Sequence, residues 1–297
     1  MSSIRVNPNP MPDLLSALEQ LQQEQETANL QLATGSRINH PSDDPAGAAQ
    51  LVQIDERSSQ VDSFQRSIGN INGLLSTGDS TLGSVVTVLQ RAITLGVEGA
   101  NGTLSDSDRA AIANELTGIQ NQLMSLANVS YQGRYIFAGT AETQPFVIDG
   151  TTSSGVRYAG NDGTNLVTIG NGYQVQTNMP GSQIFNGSGA DVFQAINDLI
   201  QSLHNNSNIG DAASEVTTAL NYVTTQRVFF GNVLNQTQSQ QTFLNNEKTN
   251  LSQQQNSVSA ADMASLASQI ATGQTAENAT LAAMGKMPQV SLFDYLK

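Results

Sequence analysis

The most constraining feature of this chain is a stretch of some fifty residues, Pro45 to Val97, with no internal proline. Its apolar residues Leu51, Ile54, Val61, Ile68, Leu75, Leu82, Val86, Leu89 and Ile93 recur at near-helical intervals. Such spacing puts them on one face of an α-helix. A helix of that length would span roughly 75 Å at ~1.5 Å per residue. It cannot fold back on itself, so other long elements must run beside it. Asp44 followed by Pro45 is a start signal: a carboxylate at the N-cap and a proline in the first helical position.

The flanking segments follow the same grammar. Upstream, Leu14, Leu18, Leu21, Gln25, Ala28 and Leu32 alternate four and three residues apart, the seam of a coiled coil. Gly35 suits the positive-φ position that ends this helix. Downstream, Ser105 with Asp106 and Asp108 marks another N-terminus, and Ile112, Leu116, Ile119, Leu123 and Leu126 continue it to about Tyr131. Helix returns over Ala190–Leu203 and over a long run from Asp211 to about Ser257. In that run Val216, Leu220, Val223, Phe230, Leu234, Leu244 and Leu251 share one heptad frame with the polar Arg227, Thr237, Gln241 and Lys248. Ser259–Asp262 reads as a break. A last helix carries Met263, Ala267, Ile270, Leu281 and Met284, and Pro288 is expected to end it.

Between the helices, residues 134–185 change character. Short runs (Tyr135–Phe137, Phe146–Ile148, Val156–Tyr158, Leu166–Ile169, Tyr173–Val175) are separated by Asp149-Gly150, Asp162-Gly163 and Asn171-Gly172, dipeptides of hairpin turns. They predict a small antiparallel β domain. The expected fold is therefore mainly α with an inserted small β domain, a long helical coiled-coil or bundle rod built from both chain ends. The expected boundaries are 1–42 and 259–297 for the two halves of a terminal coiled coil, 43–133 and 190–258 for the rod, and 134–189 for the outer β-rich part.

Composition explains why the seams are thin. Hydrophobic residues make up 38% and charged residues only 12%, both below the ordinary shares of a globular domain. Gln and Asn, about a fifth of the chain, fill the gap. The terminal seams, with Gln25 and Ala28 at one end and Gln274 and Glu277 at the other, bury too little to stand alone. Helices of this kind take most of their stability from packing. They are expected to pair with one another and with neighbouring subunits.

Several function classes drop out. With no cysteine there is no disulfide, thiolate nucleophile or Cys-ligated metal, and the two histidines, His40 and His204, are far apart. The formal net charge of -13 disfavours nucleic acid, whose binding rests on Lys and Arg against phosphate. No continuous apolar run approaches the ~20 residues of a membrane span. Residues 1–13 lack the apolar core of a Sec signal peptide. Asp43 and Asp44 read as helix-capping groups rather than a catalytic pair. Gly187–Asp191, which echoes half a calcium-binding repeat, reads as a loop ending in an Asp N-cap. With no nucleophile–base pattern, phosphate loop or dinucleotide fingerprint, the chain is expected to be non-enzymatic, without cofactor or metal.

Three stretches resemble the flagellin superfamily. Leu32–Ala49 (LATGSRINHPSDDPAGAA) is similar to the family signature between its first two helices, and Ala100–Leu116 (ANGTLSDSDRAAIANEL) to its second helical junction. Leu126–Phe146 (LANVSYQGRYIFAGTAETQPF), the Pro41–Pro45 version of the signature and the ending Ser291–Leu296 resemble the hook-associated junction branch more than filament flagellins. The resemblance implies a bacterial protein exported through the flagellar type III apparatus and assembled outside the cell. It would form a homo-oligomeric ring between a FlgK-type junction protein and the flagellin filament, after an FlgN-type export chaperone has held its C-terminal helix. The seam expected to carry assembly is Leu14, Leu18, Leu21, Ala28 and Leu32 with Met263, Ile270, Leu281, Met284, Leu292 and Leu296, with Gly35, Asp44 and Pro45 as the helix caps at the junction. Two alternatives remain: a filament flagellin, or a surface-binding module using Tyr135, Phe137, Tyr158 and Tyr173.

Overall fold

The computed structural model describes residues 11–187 and 189–286. Among the described residues, seven helices and four short β-ribbons follow one another: α1 (Met11–Thr34), α2 (Pro45–Gly99), α3 (Asp106–Ala127), β1 (Ser130–Tyr131), β2 (Arg134–Tyr135), β3 (Phe146–Ile148), β4 (Val156–Tyr158), β5 (Leu166–Gly170), β6 (Tyr173–Gln176), α4 (Gly181–Phe185), β7 (Asn186–Gly187), β8 (Ala190–Asp191), α5 (Val192–Asn205), α6 (Ile209–Ser259) and α7 (Met263–Lys286). Their contacts divide the chain into one unit of residues 1–59 with 248–297 and a second of residues 60–247. The long helices α2 and α6 each contribute to both. Pro288, Leu292 and Leu296 lie outside the described residues.

In the unit of residues 60–247, the buried residues of α2 recur every seven positions: Val61, Ile68, Leu75, Leu82 and Leu89 have essentially no solvent exposure. This interval keeps one narrow line of the helix facing inward. Val216, Val223, Phe230 and Leu244 of α6 are buried likewise. Two of the polar members of the α6 frame are paired with α2: Thr237 Oγ1 lies 2.6 Å from Asn72 Oδ1, and Arg227 holds Asp79 through two hydrogen bonds of 2.7 and 2.9 Å. Further along, Gln65 Nε2 donates to Asn245 Oδ1 at 2.9 Å. At Gly78 the helix surface is bare because the Phe230 ring occupies that space; a Cβ there would sit 2.7 Å from the ring.

Against this pair lie α3 and α5, which pack on each other through Ile112, Leu116, Ile119 and Leu123 on one side and Ile196, Leu199 and Leu203 on the other. Helix α3 begins with a full capping box at Ser105 and Asp108. It stops at Ala127, earlier than its periodicity suggests, because the Asn128 side chain clamps Phe146 by accepting from its N–H and donating to its C=O, both at 2.9 Å. That clamp turns the chain into the strand region.

The strand region is four separate antiparallel ribbons: β1–β2 (Ser130–Tyr131, Arg134–Tyr135), β3–β4 (Phe146–Ile148, Val156–Tyr158), β5–β6 (Leu166–Gly170, Tyr173–Gln176) and β7–β8 (Asn186–Gly187, Ala190–Asp191). Asn171-Gly172 joins β5 to β6 directly, as a hairpin dipeptide should. The other two dipeptides do not make tight hairpins. Asp149-Gly150 opens a longer loop in which the Asp149 carboxylate accepts from the Thr151 N–H and hydroxyl. Asp162-Gly163 lies in the connection between β4 and β5. Phe137, Phe146, Phe185 and Phe193 form the interior, with ring centroids 5.2–5.4 Å apart for Phe137–Phe185, Phe146–Phe185 and Phe146–Phe193. Phe230 of α6 meets Phe137 edge-on and ties the ribbons to the helices.

One expectation about membranes needs correction. No continuous apolar run exists, yet an 18-residue window of α2 is apolar enough, by length and composition, to cross a membrane. Within the protein 44% of that window is buried; the Leu, Val and Ile residues of α2 raise the mean, and Leu82, Val85, Leu89 and Leu95 among them are core residues.

Candidate assembly surface of the terminal helices

In the unit built from the chain ends, the thin helices α1 and α7 pack on each other. They run antiparallel: Gln22 Nε2 donates to Glu277 Oε1 at 3.3 Å, and Gln25 lies across Gly273, whose missing side chain leaves room for it. The inward line of α1 is Leu14, Leu18, Leu21, Gln25 and Ala28, then Gln31 rather than Leu32. On α7 the inward line is Leu266, Ile270, Gly273, Glu277, Thr280 and Met284. Of the expected seam residues, Leu14, Leu18, Leu21, Ala28, Ile270 and Met284 therefore share the helix–helix contact. Leu32, Met263 and Leu281 instead lie on the outside, Met263 and Leu281 with about half their surface exposed (48% and 49%). Leu15 and Leu30 are exposed with them.

The contact is sparsely filled. An open groove of about 650 Å³ runs beside it, lined mainly by Gln20, Glu24, Gln25 and Gln269 with Leu21 and Ala276. The Gln25 Nε2 atom is buried with no hydrogen-bond partner, an uncompensated donor that costs stability in an isolated chain. Five large apolar side chains on the outside and an unfilled seam inside describe a helix pair whose packing is incomplete by itself.

The turn joining α1 to α2 is tightly built. Gly35 adopts φ +69, the left-handed conformation that ends α1. Asp44 Oδ1 accepts from the Gly47 N–H at 2.9 Å and so caps α2, with Pro45 in its first position. Asp43 braces the turn itself, its Oδ2 accepting from the N–H groups of Asn39 and His40 at 2.9 and 2.8 Å. These backbone donors hold the Asp43 carboxyl below the ordinary carboxylate range, the His40 N–H contributing most. Asp44 is held low first by Gly47 and then by Arg37. Both carboxylates are committed to the turn, and His40 is exposed beside them. Among the described residues no group of three or more His, Asp or Glu is arranged to hold a metal ion.

The expected pairing of the two chain ends is reinforced by backbone contacts that no sequence pattern signals. Ser36 bridges Ala260 as an antiparallel β pair. Arg37 N–H donates to Ser259 O at 2.7 Å, and Ala261 N–H to Gly35 O at 3.1 Å. The Arg37 guanidinium Nη2 reaches Val258 O at 2.8 Å and Asp44 Oδ2 at 3.0 Å. Asp262 then caps α7 by accepting from Ala264 and Ser265. The residues proposed for surface binding divide: Phe137 is fully buried, Tyr158 hydrogen-bonds the carbonyls of Phe137 and Asn161, and Tyr173 is exposed beside α6. Asp191 caps α5 by accepting from Gln194 N–H at 2.9 Å.

Comparison with known proteins gives consistent matches. Residues 9–142 match the bacterial flagellin N-terminal helical region and residues 213–296 the bacterial flagellin C-terminal helical region. Flagellar hook-associated protein 3 of Salmonella typhimurium is 37% identical over 158 residues, which is 52% of this chain and 48% of that protein. The Escherichia coli protein of the same name is 41% identical over 118 residues, 39% of this chain and 37% of that protein. The matched stretch thus spans about half the length, or less, of these curated relatives. A solved structure, a putative flagellar hook-associated protein from Vibrio parahaemolyticus, has the same fold: TM-score 0.68 at 22% identity, covering 73% of this chain and 100% of that one.

Proposed function

This chain belongs to the bacterial flagellin family, and on that footing we propose that it is a non-enzymatic structural subunit of the flagellum, of the FlgL type that joins hook to filament. It acts outside the cell after flagellar type III export. It assembles as a ring between a FlgK-type junction protein and the first flagellin layer, and an FlgN-type chaperone holds its C-terminal helix beforehand. The name shared by the two curated relatives supports the junction reading over a filament flagellin.

The observation that carries the reading is the incomplete packing of α1 on α7. Leu15, Leu30, Leu32, Met263 and Leu281 face outward from a pair that is itself thinly filled. Each fully covered Leu or Met side chain would add ~1.5–3 kcal/mol, so helices from neighbouring copies would complete what one chain leaves open.

Purified full-length chain added to filament seeds tests the function. A junction subunit adds one layer and stops; indefinite extension would show a filament flagellin instead. Removing Leu14–Leu32 or Met263–Leu296 should leave residues 60–247 folded and abolish ring assembly. A truncated protein that still joined hook to filament would refute the role of the terminal helices. A peptide spanning Met263–Lys297 should capture the export chaperone.

A further inference from the structure

We propose that Asn101, in the turn between α2 and α3, is a site of self-modification: the Gly102 main-chain nitrogen closes on the Asn101 side chain and converts it, through a cyclic imide, to aspartate and isoaspartate. The site lies within residues 60–247 and does not depend on the state of the terminal helices.

The chain holds four Asn-Gly pairs, at 72–73, 101–102, 171–172 and 186–187. Glycine hinders the closure least, since it has no side chain to crowd the attacking nitrogen. The fold withdraws two of the four. Asn72-Gly73 lies inside α2, where the Gly73 N–H belongs to the helix ladder and the Tyr131 hydroxyl sits over the glycine. Asn186 is half-buried, its Nδ2 donates to Asp191 Oδ2 at 2.8 Å, and the Tyr222 ring covers Gly187. Asn101 and Asn171 remain exposed, each followed by a glycine with open space where a side chain would stand.

A pair of donors separates Asn101 from Asn171. Thr103 gives Asn101 Oδ1 its N–H at 3.1 Å and its hydroxyl at 2.9 Å, whereas the Asn171 side chain receives no such bond among the described residues. The turn is closed by Leu104 N–H on Asn101 O at 3.1 Å, which leaves the Gly102 N–H outside the backbone bonds. Two donors on one amide oxygen draw electrons from Cγ and stabilise the negative charge that the oxygen gains on attack. The Gly102 nitrogen gives its proton to solvent base and bonds to Cγ. The Cγ–Nδ2 bond then breaks, and Nδ2 takes up a proton and leaves as ammonia. Water opens the imide at Cγ to give aspartate, or at the main-chain carbonyl to give isoaspartate. The net change is one water consumed and one ammonia released, with no oxidant or cofactor, and either product adds one negative charge.

Purified full-length chain, held in mildly alkaline buffer made with heavy-oxygen water, tests the site. Peptide mapping by mass reads the acid formed at each Asn-Gly pair, and isoaspartyl methyltransferase reads the isoaspartate. Asn101 should react first, about two- to tenfold faster than Asn171, the range that one modest hydrogen bond supplies to a rate. Asn72 and Asn186 should stay intact while the chain is folded, and in urea all four should react at similar rates. Thr103→Val keeps the shape of the side chain and removes one donor. It should slow Asn101 by about two- to tenfold and leave Asn171 unchanged, while Thr103→Ser should keep the parent rate. Asn171 matching Asn101 in the folded chain, a Thr103→Val protein reacting at the parent rate or faster, aspartate formed without isoaspartate, or an Asn101 lead that persists in urea would each overturn the proposal.

Discussion

The buried contact between Thr237 and Asn72 offers a quantitative test of how α6 is held on α2. Thr237 is fully buried, and its Oγ1 lies 2.6 Å from Asn72 Oδ1 and 2.9 Å from Leu234 O. A hydroxyl carries one proton and donates to one acceptor at a time. Thr237→Val keeps the shape of the side chain and removes the donor. The Asn72 amide is then left half-buried without that partner. An orphaned polar group costs ~1–3 kcal/mol when fully buried, and the partial exposure of Asn72 places the expected loss at about 1–2 kcal/mol. For a unit of this size, that lowers the melting temperature by about 2–8 °C. Adding Asn72→Leu removes the orphan as well, since replacing both partners with apolar groups of similar shape can be nearly neutral. The four proteins of the cycle (parent, two singles and the double) are compared by calorimetry. The double variant should recover most of the loss, a coupling of about 1 kcal/mol. A Thr237→Val protein that melts with the parent, or a double variant that loses the sum of both singles, would refute the assignment.

Three further outcomes follow from other contacts. Gly78→Ala places a Cβ 2.7 Å from the Phe230 ring and should cost about 1–3 kcal/mol by overpacking; Phe230→Leu in the same chain should reduce that penalty, read by denaturant unfolding. Asp79 is held below its ordinary 3.8, first by the Arg227 hydrogen bond; its contribution is present above the unfolded value and lost as pH falls through the lowered folded value. Asp79→Asn should therefore flatten the loss of stability below about pH 4 in acid titrations of the melting temperature. Asp191→Ala removes the α5 cap and should destabilise residues 60–247 by about 1 kcal/mol, with the earliest exchange in 192–195.

Helix ends were legible where one residue type does one job. Asp44-Pro45 starts α2 and the Ser105–Asp108 box starts α3. The strands Phe146–Ile148 and Val156–Tyr158 appear where the short apolar runs between turn residues place them. The inward face of α7 was harder to read, because a seam made of Gly273, Thr280 and a few large residues carries little periodic signal. Met263 and Leu281 look like seam residues by type, while Leu266 supplies the buried contact. The same ambiguity turns α1 by one position, from Leu32 to Gln31. Nothing local to Arg37 announces Val258 as its partner, since the two are 221 residues apart. Phe185 and Phe193 carry much of the aromatic interior; Phe185 sits in the five-residue α4, too short for a repeating pattern, whereas Phe193 lies on the buried face of α5.

That sequence distance also sets an order of events. A chain that emerges N-terminus first has everything needed for residues 60–247 by the time Glu247 is free. Arg37 must wait until Val258 and Ser259 arrive, and α1 must wait longer for α7. Joining segments so far apart closes a very large loop, a slow step for any chain whose ends must find each other unaided. Folding of the body first shortens that search, because α2 and α6 then deliver residues 44 and 258 to their meeting place. The bridge at Ser36 and Ala260 thus comes late: it waits for residue 260 to be made, and it forms sooner when residues 60–247 have folded first.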